Sequence, residues 1–236
     1  MRFRTCVKIS FFLFAFIFLS SNQVQSQNLG LSFSYLIPTS GDFSNPVSPF
    51  SLRGYGFELT RNIVVESGFS LYRIGGMNVR DIPIDPDRSL AGPFFSIYVP
   101  LELYFRFATP IGVVKFGGGG FGYINFANKI NEGVFDRAYA AWKNYQLVNS
   151  QVEISEKPGY GFLLSFNLEI PIQRNLELTL GTSYLQGGSS VNISGEVDYY
   201  DGNSFGSEQL ADDFSDATLD YRGFEVSAGI IFSGRR

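Results

Sequence analysis

Hydrophobic and polar residues alternate with a period of two along much of the chain. The clearest segment is FFSIYVPLELYFRF, residues 94–107, where Ile97 and Leu101 fall on one face and Glu102 and Arg106 on the other. This alternation is typical of a strand whose two faces meet different environments. The same pattern, clean in some segments and weaker in others, predicts seven further strands: LGLSFSYL, SLRGYGFELT, IVVESGFSLYR, VVKFGGGGFGYINF, YGFLLSFNLEI, NLELTLGTSYL and RGFEVSAGIIF.

The lengths of these strands and of their connections favour a membrane barrel. Many strands reach about 9–11 residues, the length that crosses a bilayer at a tilt, whereas soluble strands are nearer about five or six. Short connections at 61–62, 108–112 and 172–175 alternate strictly with long ones at 38–50, 74–92, 127–158 and 187–218. An even number of strands closes the sheet without an unpaired edge. The pattern predicts an all-β fold, an eight-stranded antiparallel up-and-down transmembrane β-barrel with long extracellular loops.

Two of the long connections contain further predicted structure. The segment NEGVFDRAYAAWKNYQLV, residues 131–148, roughly fits a helical period and predicts a short helix. This helix either covers the mouth of the barrel or contacts a partner. The segment VNISGEVDYY is interpreted as a continuation of the seventh strand beyond the membrane.

The N-terminal segment, residues 1–26, has the pattern of a secretory signal peptide. Basic residues precede the apolar run FFLFAFIFL, and Val24 and Ser26 precede a cleavage before Gln27. The apolar run has about half of the ~20 residues that a spanning helix needs. An uncleaved membrane helix is the alternative. The predicted organisation is a signal peptide over 1–26 and a single barrel domain over 27–236.

Composition excludes several classes of function. Removing the signal peptide takes away three of the 18 basic residues and none of the 22 acidic ones, which leaves a net charge of −7. Nucleic-acid binding needs clustered Lys and Arg, so we expect no nucleic-acid partner. The single cysteine, Cys6, lies in the signal peptide, and the chain has no histidine. Most general-base chemistry and most transition-metal sites therefore lack their usual groups, and we predict no enzymatic activity, no cofactor and no metal site.

The alternation directs a set of charged side chains into the barrel. Five of the six glutamates, all except Glu225, fall near the short-connection ends of their strands, as do both cations. Two cations are too few to neutralise six carboxylates in a medium where charges need partners. We interpret the set as a structural network, with ion or solute selectivity and a paired-carboxylate reaction as the alternatives. The predicted lumen charge network is Glu58, Glu66, Glu102, Arg106, Lys115, Glu169, Glu177 and Glu225.

The interior of an eight-stranded barrel is just about filled by side chains. Tyr72, Tyr98 and Tyr104 are large residues predicted to point inward, which argues against a wide channel. A narrow, cation-preferring leak stays open as an alternative. Because recognition sites concentrate on loops held by a rigid scaffold, the aromatic loop residues are candidate partner contacts, with shielding of the barrel mouth as the alternative. These residues are Trp142, Tyr145, Tyr199 and Tyr200.

One hairpin carries a family resemblance. IYVPLELYFRF, followed by a short turn and VKFGGGGFGYIN, resembles the central hairpin of the small outer-membrane β-barrel ("porin family") proteins of Bacteroidetes-type bacteria. The resemblance implies an outer-membrane barrel with an architecture similar to OmpX and OmpA-type barrels. It further implies contact with outer-membrane lipid and lipopolysaccharide, with the barrel-assembly machinery, and with an envelope or surface protein.

The glycines of VVKFGGGGFGYINF raise a separate question. A phosphate-binding loop places its Gly-Lys-Ser/Thr after the glycine turn, whereas Lys115 precedes these glycines, so we interpret the segment as barrel wall. If Phe116 faces lipid, strict alternation puts Phe121 and Tyr123 inside the barrel. A β-bulge at Gly117–Gly120 would return both rings to the lipid face, and we predict such a bulge.

These patterns lead to one functional hypothesis and two alternatives. The chain is expected to be an integral outer-membrane protein with a structural or surface-interaction role through its outer loops and a largely filled lumen. A narrow passive pore for small solutes or cations is the first alternative. The second is a soluble, lipocalin-like barrel that carries a ligand, which would require the apolar faces to point inward.

Overall fold

The structure is a computed structural model that describes residues 29–39, 47–126, 129–210 and 214–232. The predicted signal peptide, residues 1–26, lies outside the described residues. No helix within the described ranges is long and apolar enough to cross a membrane.

Eight antiparallel strands pair in sequence order and close into a ring when the last strand pairs with the first. They are β1 (Leu29–Pro38), β2 (Val47–Thr60), β3 (Ile63–Ile74), β5 (Phe94–Thr109), β6 (Gly112–Phe126), β8 (Gly159–Gln173), β9 (Leu176–Tyr200) and β11 (Thr218–Phe232). Residues 61–62, 110–111 and 174–175 form the short connections, all at one end of the ring. The predicted eight-stranded antiparallel barrel is confirmed.

Large apolar side chains cover the outside of this ring. In β1, Leu31 and Phe33 are 41% and 64% exposed, whereas Ser32 and Ser34 are 2% and 1% exposed. The same orientation holds around the wall for Phe57, Leu59, Leu101, Leu103, Phe105, Phe116, Phe162, Leu164, Phe166, Leu180, Phe224 and Val226. A face of this kind is stable only against an apolar surrounding. This orientation is the opposite of what the soluble, lipocalin-like alternative requires.

The long connections build a cap on the other end of the barrel. The upper part of β9 continues past the ring and pairs with β7 (Leu147–Glu156) on one side and β10 (Phe205–Gln209) on the other. The predicted continuation of the seventh strand is therefore confirmed. A further short strand, β4 (Val79–Arg80), pairs with the start of β11.

The predicted helix is also present, as α1 (Glu132–Lys143). The side chain of Asn131 accepts a hydrogen bond from the N–H of Val134, which caps the helix start. Asn144 ends the helix in the left-handed conformation with φ of 58°. The buried face, which includes Phe135 and Tyr139, belongs to the same apolar core as the top of the barrel. The helix thus covers the barrel mouth.

The glycine-rich strand β6 pairs with β5 and with β8 in continuous register. The predicted bulge at Gly117–Gly120 is therefore wrong, and Phe121 and Tyr123 remain buried inside the barrel. Their ring centroids lie 5.0 Å from Tyr98 and 4.3 Å from Tyr221 respectively. The prediction failed because it expected these two rings to face lipid, whereas the lumen near the cap is aromatic and accommodates them.

A bulge occurs instead in β2. The register with β3 shifts between Leu52 and Tyr55, and Gly54 in this interval has φ of 82°. One extra residue reverses the phase of a strand, so residues on either side of the bulge switch faces. Arg53 consequently points into the barrel together with Ser51, although Tyr55 and Phe57 beyond the bulge point outward.

Candidate functional site

We call the half of the lumen near the short connections the lower lumen. One cluster of ion pairs there forms around Arg53, whose guanidinium lies 2.5 Å from Glu225 and 3.6 Å from Glu102. Glu225 and Glu102 are 2% and 4% exposed. The expectation of only two lumen cations is wrong, because the bulge in β2 adds Arg53. The same arginine links Glu225 to the other predicted carboxylates.

A second cluster forms around Lys115 of β6. Its Nζ lies 2.5 Å from Glu66 of β3, two strands away, and 2.6 Å from Glu169 of the adjacent strand β8. Lys115 is buried, so both carboxylates compensate a charge that has left water. Glu177 is also buried, on β9.

Neutral donors hold Glu102 from its other side. The hydroxyl of Tyr104 donates to Glu102 at 2.6 Å, and the hydroxyl of Ser165 donates to the same Oε2 at 2.5 Å. The side-chain amide of Asn167 donates in turn to the Tyr104 oxygen at 2.9 Å. A carboxylate with several donors keeps its charge at a lower cost than an isolated one.

The inward-facing glycines of β6 make room for this cluster. A Cβ at Gly119 would overlap the carbonyl oxygen of Leu101 and approach the Cα of Glu102 to 2.9 Å. A Cβ at Gly117 would lie 2.8 Å from the ring of Tyr104. Glycine is thus needed at both positions for close strand approach. This part of the sequence interpretation, that the glycines accommodate bulky neighbours, agrees with the contacts.

The remaining predicted network residues lie at the lower mouth. Arg106 donates to Glu58 at 2.7 Å and to the carbonyl oxygen of Arg61 at 2.9 Å. The Glu58 side chain is 47% exposed, so this pair is solvated and separate from the buried clusters. The structure therefore divides the predicted network into one exposed pair and two buried clusters.

The buried carboxylates still outnumber the buried cations. Arg53 and Lys115 face the carboxylates Glu66, Glu102, Glu169, Glu177 and Glu225. A cavity of about 40 Å³ lies between the clusters, which is room for a few water molecules. One oxygen of Glu225 has no hydrogen-bond partner within the described part of the chain. The geometry suits a hydrated, negatively biased charge network.

Above the charges, five aromatic rings fill the lumen; we call them the aromatic plug: Tyr72, Tyr98, Phe121, Tyr123 and Tyr221. Adjacent rings contact one another at centroid distances from 4.3 Å to 6.1 Å. Arg53 lies below the plug, 5.8 Å from the Tyr98 ring centroid. Above it, Phe135 and Tyr139 of α1 and Phe214 continue the apolar packing. The described side chains therefore occupy the lumen from the charge network to the cap.

The predicted loop aromatics lie in the cap. The Tyr145 and Tyr199 rings stack at 4.1 Å with an interplanar angle of 6°. Trp142 contacts Phe214 at 6.2 Å, edge to face. Tyr200 instead packs on Phe205 at 4.7 Å. The structure thus brings three of the four into the packed cap and places Tyr200 beside Phe205, another loop aromatic residue, which is 81% exposed.

Two groups in the cap have shifted acidities. Partial desolvation and the nearby carboxylate of Glu208 raise the pKa of Tyr145 above its ordinary value. In the turn after β9, the backbone N–H groups of Ser204 and Asn203 donate to Asp201 at 2.8 Å each. These two hydrogen bonds lower the pKa of Asp201. Neither group is placed for chemistry, and both shifts report local folding of the cap.

A closed ring of eight strands, apolar outside, charged in the lower lumen and capped at one end, defines a β-barrel of the outer-membrane type. No family model matches the chain, and no curated protein matches it in sequence. Among solved structures it is similar to the outer membrane protein OprG from Pseudomonas aeruginosa, with a TM-score of 0.54 and 10% identity over 89% of this chain and 96% of that chain.

Two further solved structures are similar at lower scores. Outer Membrane Protein W from E. coli has a TM-score of 0.45 and 14% identity, covering 89% of this chain and 99% of that one. The outer membrane protein AlkL, solved in lipid bilayers, has a TM-score of 0.42 and 12% identity, covering 91% of this chain and 92% of its own. At these identities the likeness is one of fold.

Proposed function

We propose that the chain is an integral outer-membrane protein with a structural or surface-interaction role exerted through its cap, and that it neither catalyses a reaction nor forms an open pore. The observation that carries this proposal is the aromatic plug, which fills a barrel whose outer wall is apolar. A filled lumen leaves the outer wall and the cap as the surfaces free to act.

The proposed orientation follows from the connections. Outer-membrane barrels have short periplasmic turns and longer extracellular loops. The short connections would then face the periplasm, and α1 and the upper part of β9 would face outward. The barrel-assembly machinery is the proposed route of insertion, after removal of a signal peptide. A closer relation to the Bacteroidetes-type porin family stays a proposal that the hairpin resemblance supports.

The cap offers a specific surface for a partner. Phe205 begins β10 and packs on Tyr200 while leaving most of its ring exposed. Exposed aromatic side chains next to ordered backbone are typical of recognition sites. We propose that an envelope or surface protein contacts this edge of the cap.

The absence of catalysis is proposed from the pairing of the lumen charges. A catalytic carboxylate needs room for a substrate beside it, whereas Glu66, Glu102 and Glu169 are occupied by Lys115, Arg53 or hydroxyl donors. The neighbouring cavity of about 40 Å³ admits water rather than a sugar or lipid. We propose that the charge network fixes the lower lumen.

Location and lumen closure are tested separately. A folded outer-membrane barrel resists urea washing, is extracted only by detergent, and migrates differently on a denaturing gel before and after heating. Release by urea or carbonate would contradict the proposed location.

In planar bilayers the purified protein is expected to conduct no ions. The excess of lumen carboxylates favours the alternative of a narrow cation pore, and sustained cation-selective openings would establish that alternative instead.

The partner surface is tested by photo-crosslinking on intact cells. A photoreactive amino acid at position 205 is expected to capture a discrete protein adduct. The same amino acid at Thr182, which lies on the outer wall, serves as the matched control. Equal adducts from both positions would show that the cap edge has no specific partner.

A further inference from the structure

A charged cavity lies on the outer wall near the cap, separate from the lumen charge network and from the aromatic plug. This basic pocket, of about 540 Å³, is lined by Arg80, Lys157, Arg222, Asp81 and Asp220, among other residues. It lies on the outside because Arg222 and Asp220 alternate in phase with the outward-facing Phe224 of β11. Three cations and two anions leave it with a positive balance in an acidic chain.

Asp220 arranges the two arginines of the basic pocket. The Asp220 side chain is 5% exposed and lies 2.5 Å from the Arg80 guanidinium and 3.6 Å from Arg222 Nε. The other carboxylate, Asp81, accepts a hydrogen bond from the Thr218 hydroxyl at 2.7 Å. Pairing of β4 with β11 fixes the backbone of Arg80 beside the pocket. A guanidinium held in this way is suited to an anionic oxygen, and Lys157 adds an exposed point charge.

The height of the basic pocket corresponds to a membrane interface. Tyr160, 79% exposed, lines the pocket and points outward from the wall. Tyr184 and Phe224 pack together at 4.9 Å on the apolar face below it. Aromatic girdles of this kind mark the boundary between hydrocarbon and head groups. The pocket is therefore level with the head groups of the leaflet on the cap side.

An apolar groove adjoins the pocket at Pro158, which lines both. The groove, of about 360 Å³, is lined by Ile97, Val99, Gly122 and Ile124 as well. It exists because β6 presents glycine instead of a side chain, and because the pairing of β6 with β8 ends at Tyr123 while its pairing with β5 continues. Adjacent strands lie about 4.8 Å apart, so a missing side chain leaves a trough about one hydrocarbon chain wide.

We propose that this part of the wall binds a phosphorylated lipid of the outer leaflet, with its phosphate in the basic pocket and one acyl chain in the apolar groove. The inference rests on the proposed outer-membrane location. It also accounts for the outward glycine at position 122. A Cβ there would lie 3.9 Å from the carbonyl oxygen of Gly159, an ordinary contact distance, so steric crowding does not explain the missing side chain. Among phosphorylated lipids, we predict that lipopolysaccharide is the occupant.

The test measures lipid binding by the purified full chain in detergent micelles. The probes are bis-phosphorylated lipid A, the same lipid after phosphatase treatment, and inorganic phosphate, with bound species counted by native mass spectrometry. We expect the phosphorylated lipid to bind more tightly than the dephosphorylated one. Equal binding of the two lipids would overturn the proposal, and so would displacement by inorganic phosphate at the concentration of the lipid, since the site would then be one for free anions.

Matched variants locate the site. Lys157→Gln is expected to weaken binding about fivefold, the effect of one basic residue near a charged membrane surface. Lys129→Gln, an equal charge change at an exposed position elsewhere, is expected to leave it unchanged. Gly122→Leu should weaken binding of both lipids by filling the groove, whereas Thr182→Leu on another part of the outer wall should not. Equal effects within either pair of variants would overturn the assignment of that part of the site.

Failure of this inference is distinguishable from failure of the proposed function. Binding in micelles is measured on protein that shifts on the gel after heating, so folding is established for each variant. A folded protein that fractionates with the outer membrane but binds no lipid contradicts only the present inference. A protein found in another compartment contradicts the proposed function whatever its lipid binding.

Discussion

Removal of Arg53 is the sharpest perturbation that the structure offers. Arg53→Met keeps the aliphatic part of the side chain and deletes the guanidinium that lies 2.5 Å from Glu225 and 3.6 Å from Glu102. Glu225 then loses its ion pair with Arg53, and because it is 2% exposed it recovers only part of its hydration, from the small cavity that it lines. Loss of one partner from a buried ion pair costs about 3–5 kcal/mol. Because the Arg53 side chain is 20% exposed, we expect the lower end, about 3 kcal/mol of unfolding free energy.

A second substitution separates charge from packing. Glu225→Gln in the Arg53→Met background removes the uncompensated carboxylate, while Glu102 keeps its hydroxyl donors Tyr104 and Ser165. We expect the double variant to regain about 1–2 kcal/mol relative to Arg53→Met alone, within the range of coupling energies between contacting residues.

The measurement is equilibrium unfolding in urea of protein refolded into short-chain lipid vesicles. Trp142 is the single tryptophan and reports the cap, and heat-modifiable migration reports the barrel. Arg174→Met in a short connection is the control, because the residue is exposed and such changes are worth within about 0.5 kcal/mol. The reasoning would be refuted by an Arg53→Met variant as stable as the control, or by a double variant no more stable than the single one.

Three further predictions concern the wall and the plug. Gly119→Ala, where a Cβ overlaps cross-strand backbone, should lower the unfolding free energy by about 1–3 kcal/mol, whereas Gly120→Ala on the outer face should change it little; equal losses in urea titrations would contradict the assigned faces. Gly54→Val should cost about 1–2 kcal/mol in the same assay because φ is 82°, and a neutral result would argue against the bulge. The double variant Tyr123→Ala and Tyr221→Ala removes two stacked rings of the plug and should conduct ions in planar bilayers, where the parent is silent; a silent double variant would show that other groups close the lumen.

The sequence was sufficient to predict the number of strands, their order and the orientation of most of their faces. The reason is that contact with lipid requires apolar side chains on the outer face of the barrel. Outward positions are predominantly apolar for the whole crossing, so a segment such as residues 94–107 shows its period without help from the rest of the fold. Lengths of connections then follow from the breaks between periodic segments. The helix in the third long connection was predictable for a similar reason, since Val134, Phe135, Ala138 and Tyr139 recur at helical spacing and are its buried face.

The inside of the barrel follows no single rule, and this explains the mistaken bulge. The lower lumen is charged and the upper lumen is aromatic, so the inward residues of one strand change character with height. In β6 the inward sequence passes from Lys115 through two glycines to Phe121 and Tyr123. Two situations give the same residue pattern in the sequence. In one, the strand keeps its alternation while the lumen changes from polar to aromatic. In the other, the lumen stays polar while a bulge reverses the alternation. The neighbouring rings inside the lumen, Tyr98 on the adjacent strand β5 and Tyr221 on β11, distinguish the two cases.

The bulge in β2 could have been predicted from the energetic cost of placing Arg53 in lipid. Continuing the alternation backward from Phe57 and Tyr55 places Arg53 on the lipid face, where a cation near the bilayer midplane costs about 2–4 kcal/mol. A change of phase removes that cost, and it requires one extra residue, for which Gly54 supplies the conformation with positive φ. An outward-phased Arg directly before a glycine is therefore itself evidence for a bulge between the two. The same step turns a lipid-facing charge into the third lumen cation, to which Glu225 and Glu102 are paired.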